Sequence, residues 1–141
     1  MTLRELVVER VKSTVPTLKE VAGAARLDDI LNGLIVAPSA HIYRLNNQSS
    51  DNELLSAVSQ YVPQQLAVVV STRNFNKTRA ADSSDENEYF CQLIQSQLLG
   101  WEPEQKYSAL EYVSGSLVVF KKGLFIWREV YSSGSHIRSI L

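Results

Sequence analysis

Apolar residues recur along this chain with two periods. Near the N-terminus Leu3, Leu6, Val7 and Val11 fall on one side of a 3.6-residue turn. Thr2 followed three residues later by Glu5 has the capping-box form, in which each side chain satisfies a free amide of the first turn. The spacing predicts an amphipathic helix near residues 2–13, and Pro16 limits its extension. Residues 15–25 fit neither period. Residues 27–33 read as one or two helical turns stopped by Gly33. Pro38 introduces a strand of mixed polarity over 40–45, and 46–52 is a polar loop. Residues 54–62 fit a helix or a strand end, before Pro63-Gln64-Gln65 interrupts.

Leu66-Ala67-Val68-Val69-Val70-Ser71-Thr72 is β-branched and nearly continuous, which predicts a central strand. Residues 73–84 form a long polar loop, a length that in compact domains usually serves function. Ser83 and Glu86 make a second capping box, and Phe90, Leu93, Ile94 and Leu98 form the stripe of a helix near 84–99 that Gly100 ends. Apolar runs follow at 107–113, 117–120 and 124–131. Ser114-Gly115-Ser116 and Lys121-Lys122-Gly123 separate them as turns, the pattern of an antiparallel meander. The sum is one α+β domain over 1–141. Its amphipathic helices pack on one face of a mostly antiparallel or mixed sheet of about four to five strands.

Composition sharpens this picture by exclusion. Hydrophobic residues make up 45% of the 141 and charged residues 21%, which is globular composition. The net charge of −1 gives no long-range attraction to nucleic acid. A single cysteine, Cys91, excludes an intrachain disulfide and a cysteine-based zinc site, and fits a reducing compartment. Arg4 and Glu5 stand where a signal peptide needs an apolar run, and no stretch approaches the ~18 apolar residues of a membrane span.

Candidate chemistry is sparse. His41 and His136 are the only histidines, His41 in a strand-like run and His136 in a polar tail. Cys91 beside Phe90 on an amphipathic helix reads as a small buried apolar residue. A Cys–His pair is formally possible and has no local support. Asp82, Asp85, Glu86 and Glu88 crowd a helix start, where carboxylates are favoured without any metal. Phosphate loops, nucleophile elbows and zinc-ligand patterns are absent from the sequence, so no catalytic residue, cofactor or metal is expected. The long loop instead offers a candidate protein interface at Arg73, Asn74, Lys77 and Arg79. Leu99-Gly100-Trp101-Glu102-Pro103 reads as a helix stop with an aromatic plug. Trp101, and Trp127 on the last strand, are expected to be at least partly buried.

From Val68 onward the order of signals resembles the tail terminator proteins of long-tailed bacteriophages and prophages. It runs from the strand at 66–70 into Ser71-Thr72-Arg73-Asn74, through a polar loop to Ala80-Ala81, and along a helix ending in Leu98-Leu99-Gly100-Trp101-Glu102-Pro103. Leu110-Glu111-Tyr112, Gly115-Ser116-Leu117 and Leu124-Phe125-Ile126-Trp127-Arg128-Glu129 complete it. The N-terminal helix, Val15-Pro16 and Ala37-Pro38-Ser39-Ala40 look similar but less distinctive, and 46–65 carries no recognisable pattern.

The resemblance implies a structural virion protein assembled in the bacterial host cytoplasm. It would form a homohexameric ring at the head-proximal end of the tail, bind the last ring of tail tube protein and stop its growth. It would also present a surface to the head–tail connector or stopper, and to sheath protein if the tail contracts. DNA would pass through without specific binding, no membrane would be involved, and the family has no catalytic residues to carry over. The alternatives are another neck component (head completion or adaptor) and, in a different class, a small host ligand-binding module with a polar pocket holding Cys91 or His41.

Overall fold

A computed structural model describes residues 1–45, 57–74 and 80–140, without the side chains of 57–62, 80 and 135–140. In chain order its elements are α1 (Leu3–Thr14), β1 (Glu20–Gly23), α2 (Leu27–Leu31), β2 (Ser39–Arg44), β3 (Ala57–Arg73), α3 (Ala80–Leu98), β4 (Glu111–Lys121) and β5 (Leu124–Ile140). The capping box at the start of α1 is present. Thr2 Oγ1 accepts from the Glu5 amide at 3.1 Å, and Glu5 Oε2 accepts from the Thr2 amide at 3.2 Å. Val11, Val7 and Leu3 then turn one face of α1 into the core.

Among the described residues the strands form one sheet in the order β1-β2-β3-β5-β4. β1 runs parallel to β2 and every other pair is antiparallel. Strand side chains alternate between faces, and the sheet buries both. On one face α1 and α3 cover Ala40, Ile42, Leu66, Val68, Val70 and Tyr131. On the other, Ile30 of α2 packs with Tyr43, Ala67, Val69 and Ile126. The α+β class, the mixed sheet and the two long helices sharing a face all agree with the sequence reading.

Four local expectations fail. The interruption expected at Pro63 is absent: β3 runs straight through, with Pro63 opposite Gly134. Its partner there is β5, and the described pairing with β2 ends at Arg44 opposite Leu66. The turn expected at Ser114-Gly115-Ser116 lies inside β4, so the three-strand meander is a single long hairpin. Residues 107–110 are not strand. Leu110 exchanges backbone hydrogen bonds with the helix stop instead, accepting from Gly100 at 2.9 Å and donating to Trp101 at 3.0 Å. Ser83 is no N-cap, because α3 already begins at Ala80 and Ser83 is buried in its first turns. The Ala80-Ala81 pair has the highest helix propensity available and carries the helix back past Ser83. A fifth feature, β1, formed in a stretch that showed no period.

The turn at Lys122-Gly123 is as expected. φ is 51° at Lys122 and 78° at Gly123, the positive pair that a two-residue hairpin turn requires. β3 and β5 stay paired well past the described pairings of β2 and β4, from Leu66 opposite Tyr131 out to Ala57 opposite Ile140.

Candidate assembly interface

The proposed partner-facing loop over 73–84 is strand at its first residue and helix from Ala80 onward. Arg73 is still strand, in register with Leu124. The Asn74 amide donates to Gly123 O at 3.0 Å, and its Nδ2 donates to Glu86 Oε2 at 3.2 Å. Asn74 therefore ties the loop base to the β4–β5 turn and to α3. Glu86 receives that side chain and forms no capping box with Ser83. Lys77 and Arg79 lie outside the described residues.

The helix stop is built as its sequence implies. Gly100 takes φ +79°, and a Cβ there would meet nothing, so backbone conformation rather than space selects glycine. Trp101 folds back half-buried onto the α1–α3 core, with the Arg10 guanidinium 5.1 Å from its ring centre. Arg10 Nε also donates to Gln97 O at 3.2 Å, which caps the end of α3 from α1. Pro103 is half-buried beyond the turn. Trp127 is half-buried on β5, packed against the same core. These residues hold the fold, whereas Leu99, 53% exposed, points outward.

Between α3 and the β4–β5 hairpin lies a cleft of about 320 Å³ that the sequence did not reveal. Its floor is polar. Asn87 is buried and its Nδ2 donates to Val70 O at 2.9 Å, Thr72 Oγ1 at 3.2 Å and Phe125 O at 3.2 Å, pinning α3 to two strands. Glu129 is buried on β5 and bonds the Tyr112 hydroxyl. Gly115 makes this possible. A Cβ there would lie 2.6 Å from Glu129 Oε2, 2.7 Å from the Tyr112 hydroxyl and 3.0 Å from Trp127 Nε1. The ring of Tyr112 is largely exposed, but its hydroxyl points inward over Gly115. Burial, and then the bond to Glu129, push that hydroxyl up to about 12.

Cys91 faces the same cleft, its thiol donating to Asn87 Oδ1 at 3.3 Å. Burial first, then the charges of Glu129 and Glu88, push the thiol above its ordinary value. That is the opposite of an activated nucleophile. His41 sits on β2 beside Glu20, Nε2 to Oε1 3.4 Å. Its neighbours Ala40 and Ile42 belong to the α1–α3 face, so His41 points to the other side of the sheet from Cys91. The sheet therefore separates Cys91 from His41. Among the described residues no cluster of His, Cys, Asp and Glu could hold a metal ion, and no helix is long and apolar enough to cross a membrane.

Among the described residues β4 is one outer strand of the sheet and β1 the other. Edge strands usually carry charges or proline that deter pairing with other chains. Here residues 112–120 hold neither, and Tyr112, Val113 and Leu117 are 41%, 45% and 51% exposed. Two irregularities, at Tyr112/Ser114 and Leu117/Val119, are the only interruptions of its ladder with β5. The uncharged run was the available signal, but it reads as an ordinary core strand until the strand order is known.

Comparison with known proteins converges on one family. A family model described as phage tail terminator protein matches residues 2–140. A solved chain described as part of the virion of a native gene transfer agent (GTA) particle matches with a TM-score of 0.55 at 11% identity, covering 96% of this chain and 95% of that one. Identity that low speaks for the fold alone. No curated protein matches the chain. The order of elements, the glycine helix stop with its folded-back tryptophan and the family match from end to end agree: the chain belongs to the phage tail terminator family, structural proteins of the bacteriophage tail and virion.

Proposed function

We propose that this chain forms the homohexameric ring that caps the head-proximal end of the tail tube. The ring binds the last ring of tail tube protein, stops its polymerisation and presents its other surface to the head–tail connector or stopper. Sheath protein is a further partner where the tail is contractile. The observation that carries this reading is the family match over residues 2–140. The uncovered β4 edge supports it, because a protein that works alone has little reason to keep such an edge bare. The net charge of −1 suits a ring through which DNA slides without being gripped. The ring assembles in the host cytoplasm and needs no cofactor, metal or catalytic group.

Within this reading the loop at Arg73, Asn74, Lys77 and Arg79 contacts the neighbouring subunit or the tube. Asn74 anchors its base, and the basic residues beyond present charge to a partner's carboxylates. The test is native mass of the pure protein, alone and mixed with tail tube protein. A six-subunit assembly bound to tube ends is expected. A chain that binds a head connector and leaves tube growth unchecked is a neck protein of another kind.

A further inference from the structure

Glu129 poses an electrostatic problem that the fold leaves open. The residue is 7% exposed, and a carboxylate taken that far from water needs an opposite charge or a full set of donors. One donor is present, the Tyr112 hydroxyl. Among the described residues neither Glu129 nor Glu88 forms an ion pair. The residues lining the cleft include both carboxylates and no lysine, arginine or histidine. Neighbouring acids register the surplus charge. Burial first, and then Glu129, hold the Cys91 thiol and the Tyr131 hydroxyl above their ordinary values. The arrangement is built into β4, where Gly115 pairs opposite Glu129 and a Cβ would collide with the carboxylate.

The walls select among cations. Tyr112 and Trp127 bring aromatic rings to the carboxylates, and Gln92 and Gln95 add amide oxygens. A guanidinium uses all of these. Its plane stacks on an aromatic ring, its five N–H donors call for several acceptors, and its weak hydration makes leaving water less costly. An ammonium is a strongly hydrated point charge that gains less from flat walls. At about 320 Å³ the cleft lies at the small end of ligand clefts, with room for one long side chain. Structural proteins of a tail meet mainly other proteins. We propose that the cleft between α3 and the β4–β5 hairpin is a guanidinium pocket, and that its occupant is an arginine side chain of a partner protein in the tail. The pocket is separable from the ring reading, since it requires an arginine-bearing partner and no particular number of subunits.

The experiment is a nuclear magnetic resonance titration of the full chain with the peptide acetyl-Gly-Arg-Gly-amide, followed at the Trp127 indole N–H and the Gly115 amide. Both signals are expected to move and saturate. The citrulline peptide, of the same shape without the charge, should move neither, and the lysine peptide should bind about tenfold more weakly. Glu129→Gln keeps the volume and an acceptor for Tyr112, and should weaken the arginine peptide about tenfold or more. Glu88 is exposed, so Glu88→Gln leaves the core untouched and should weaken binding about threefold. Equal binding of the citrulline or lysine peptide, or an unchanged affinity in both glutamine variants, overturns the pocket. The source of the guanidinium is read from assembly. Glu88→Lys puts a cation on the cleft wall and should lower the yield of complete tails about tenfold. An unchanged yield overturns a protein as the occupant and assigns the pocket to a small free cation. A ring that assembles from a chain blind to the arginine peptide sinks the pocket and spares the ring reading; a peptide that binds where no ring forms does the reverse.

Discussion

Val68 and Leu117 are both apolar strand residues of one sheet, yet the first is fully buried and the second 51% exposed. Val68 has strands on both sides and helices above it, whereas Leu117 has a strand on one side only. Residue type does not distinguish the two regions; neighbours do. The centre of the sheet buries its apolar surface in the fold, and β4 leaves much of its own exposed at Tyr112, Val113 and Leu117. Destabilising changes should therefore cluster under α1 and α3, and changes along β4 should alter assembly alone.

The largest expected effect is in the covered region. Leu98 is fully buried at the end of α3, so Leu98→Ala should lower unfolding free energy by about 2–5 kcal/mol, read from urea denaturation. A loss below about 1 kcal/mol would mean that α3 is held mainly by its polar anchors. Asn87→Ala tests those anchors. It strips one donor group from Val70 O, Thr72 Oγ1 and Phe125 O, and should cost about 1–3 kcal/mol in the same measurement. An Asn87→Ala variant as stable as the parent would show that water replaces the amide there and that the cleft is wetter than its geometry implies. The smallest effect is expected at the edge. Leu117→Gln should change stability by no more than about 0.5 kcal/mol while weakening ring formation in native mass measurements. Destabilisation comparable to that of Leu98→Ala would erase the distinction between the two regions.

What the sequence made legible follows the same divide. The α1 capping box and the Gly100 stop were readable because their partners lie within a few residues. The stripe of α3 was readable because helical spacing is local, and the resemblance located the family because it rests on such local signals in order. Strand extents were not readable. Pro63 and Gly115 break strands in a local reading, yet both lie inside strands here, Pro63 opposite Gly134 and Gly115 against the Glu129 carboxylate. The cleft was invisible for a similar reason. Asn87 and Phe125 are 38 positions apart, and no period or motif links them before the sheet forms. Ser83 shows the reverse error, a locally persuasive cap overridden by helix-favouring residues just before it.

The strand order also has a consequence in time. β5 is the last of the described strands in sequence, yet it lies inside the sheet between β3 and β4. A ribosome that has made residues 1–121 has therefore made a sheet with its second innermost member missing. β4 has no partner at that stage, and the α1–α3 core still lacks Tyr131. Pairing Ala57 with Ile140 closes a loop of more than half the chain, the kind of contact that slows folding. The sheet can close only once residues 124–140 are available to it. The exposed edge of β4 and the sheet that carries it thus form together, since β4 has no strand to pair with until β5 arrives.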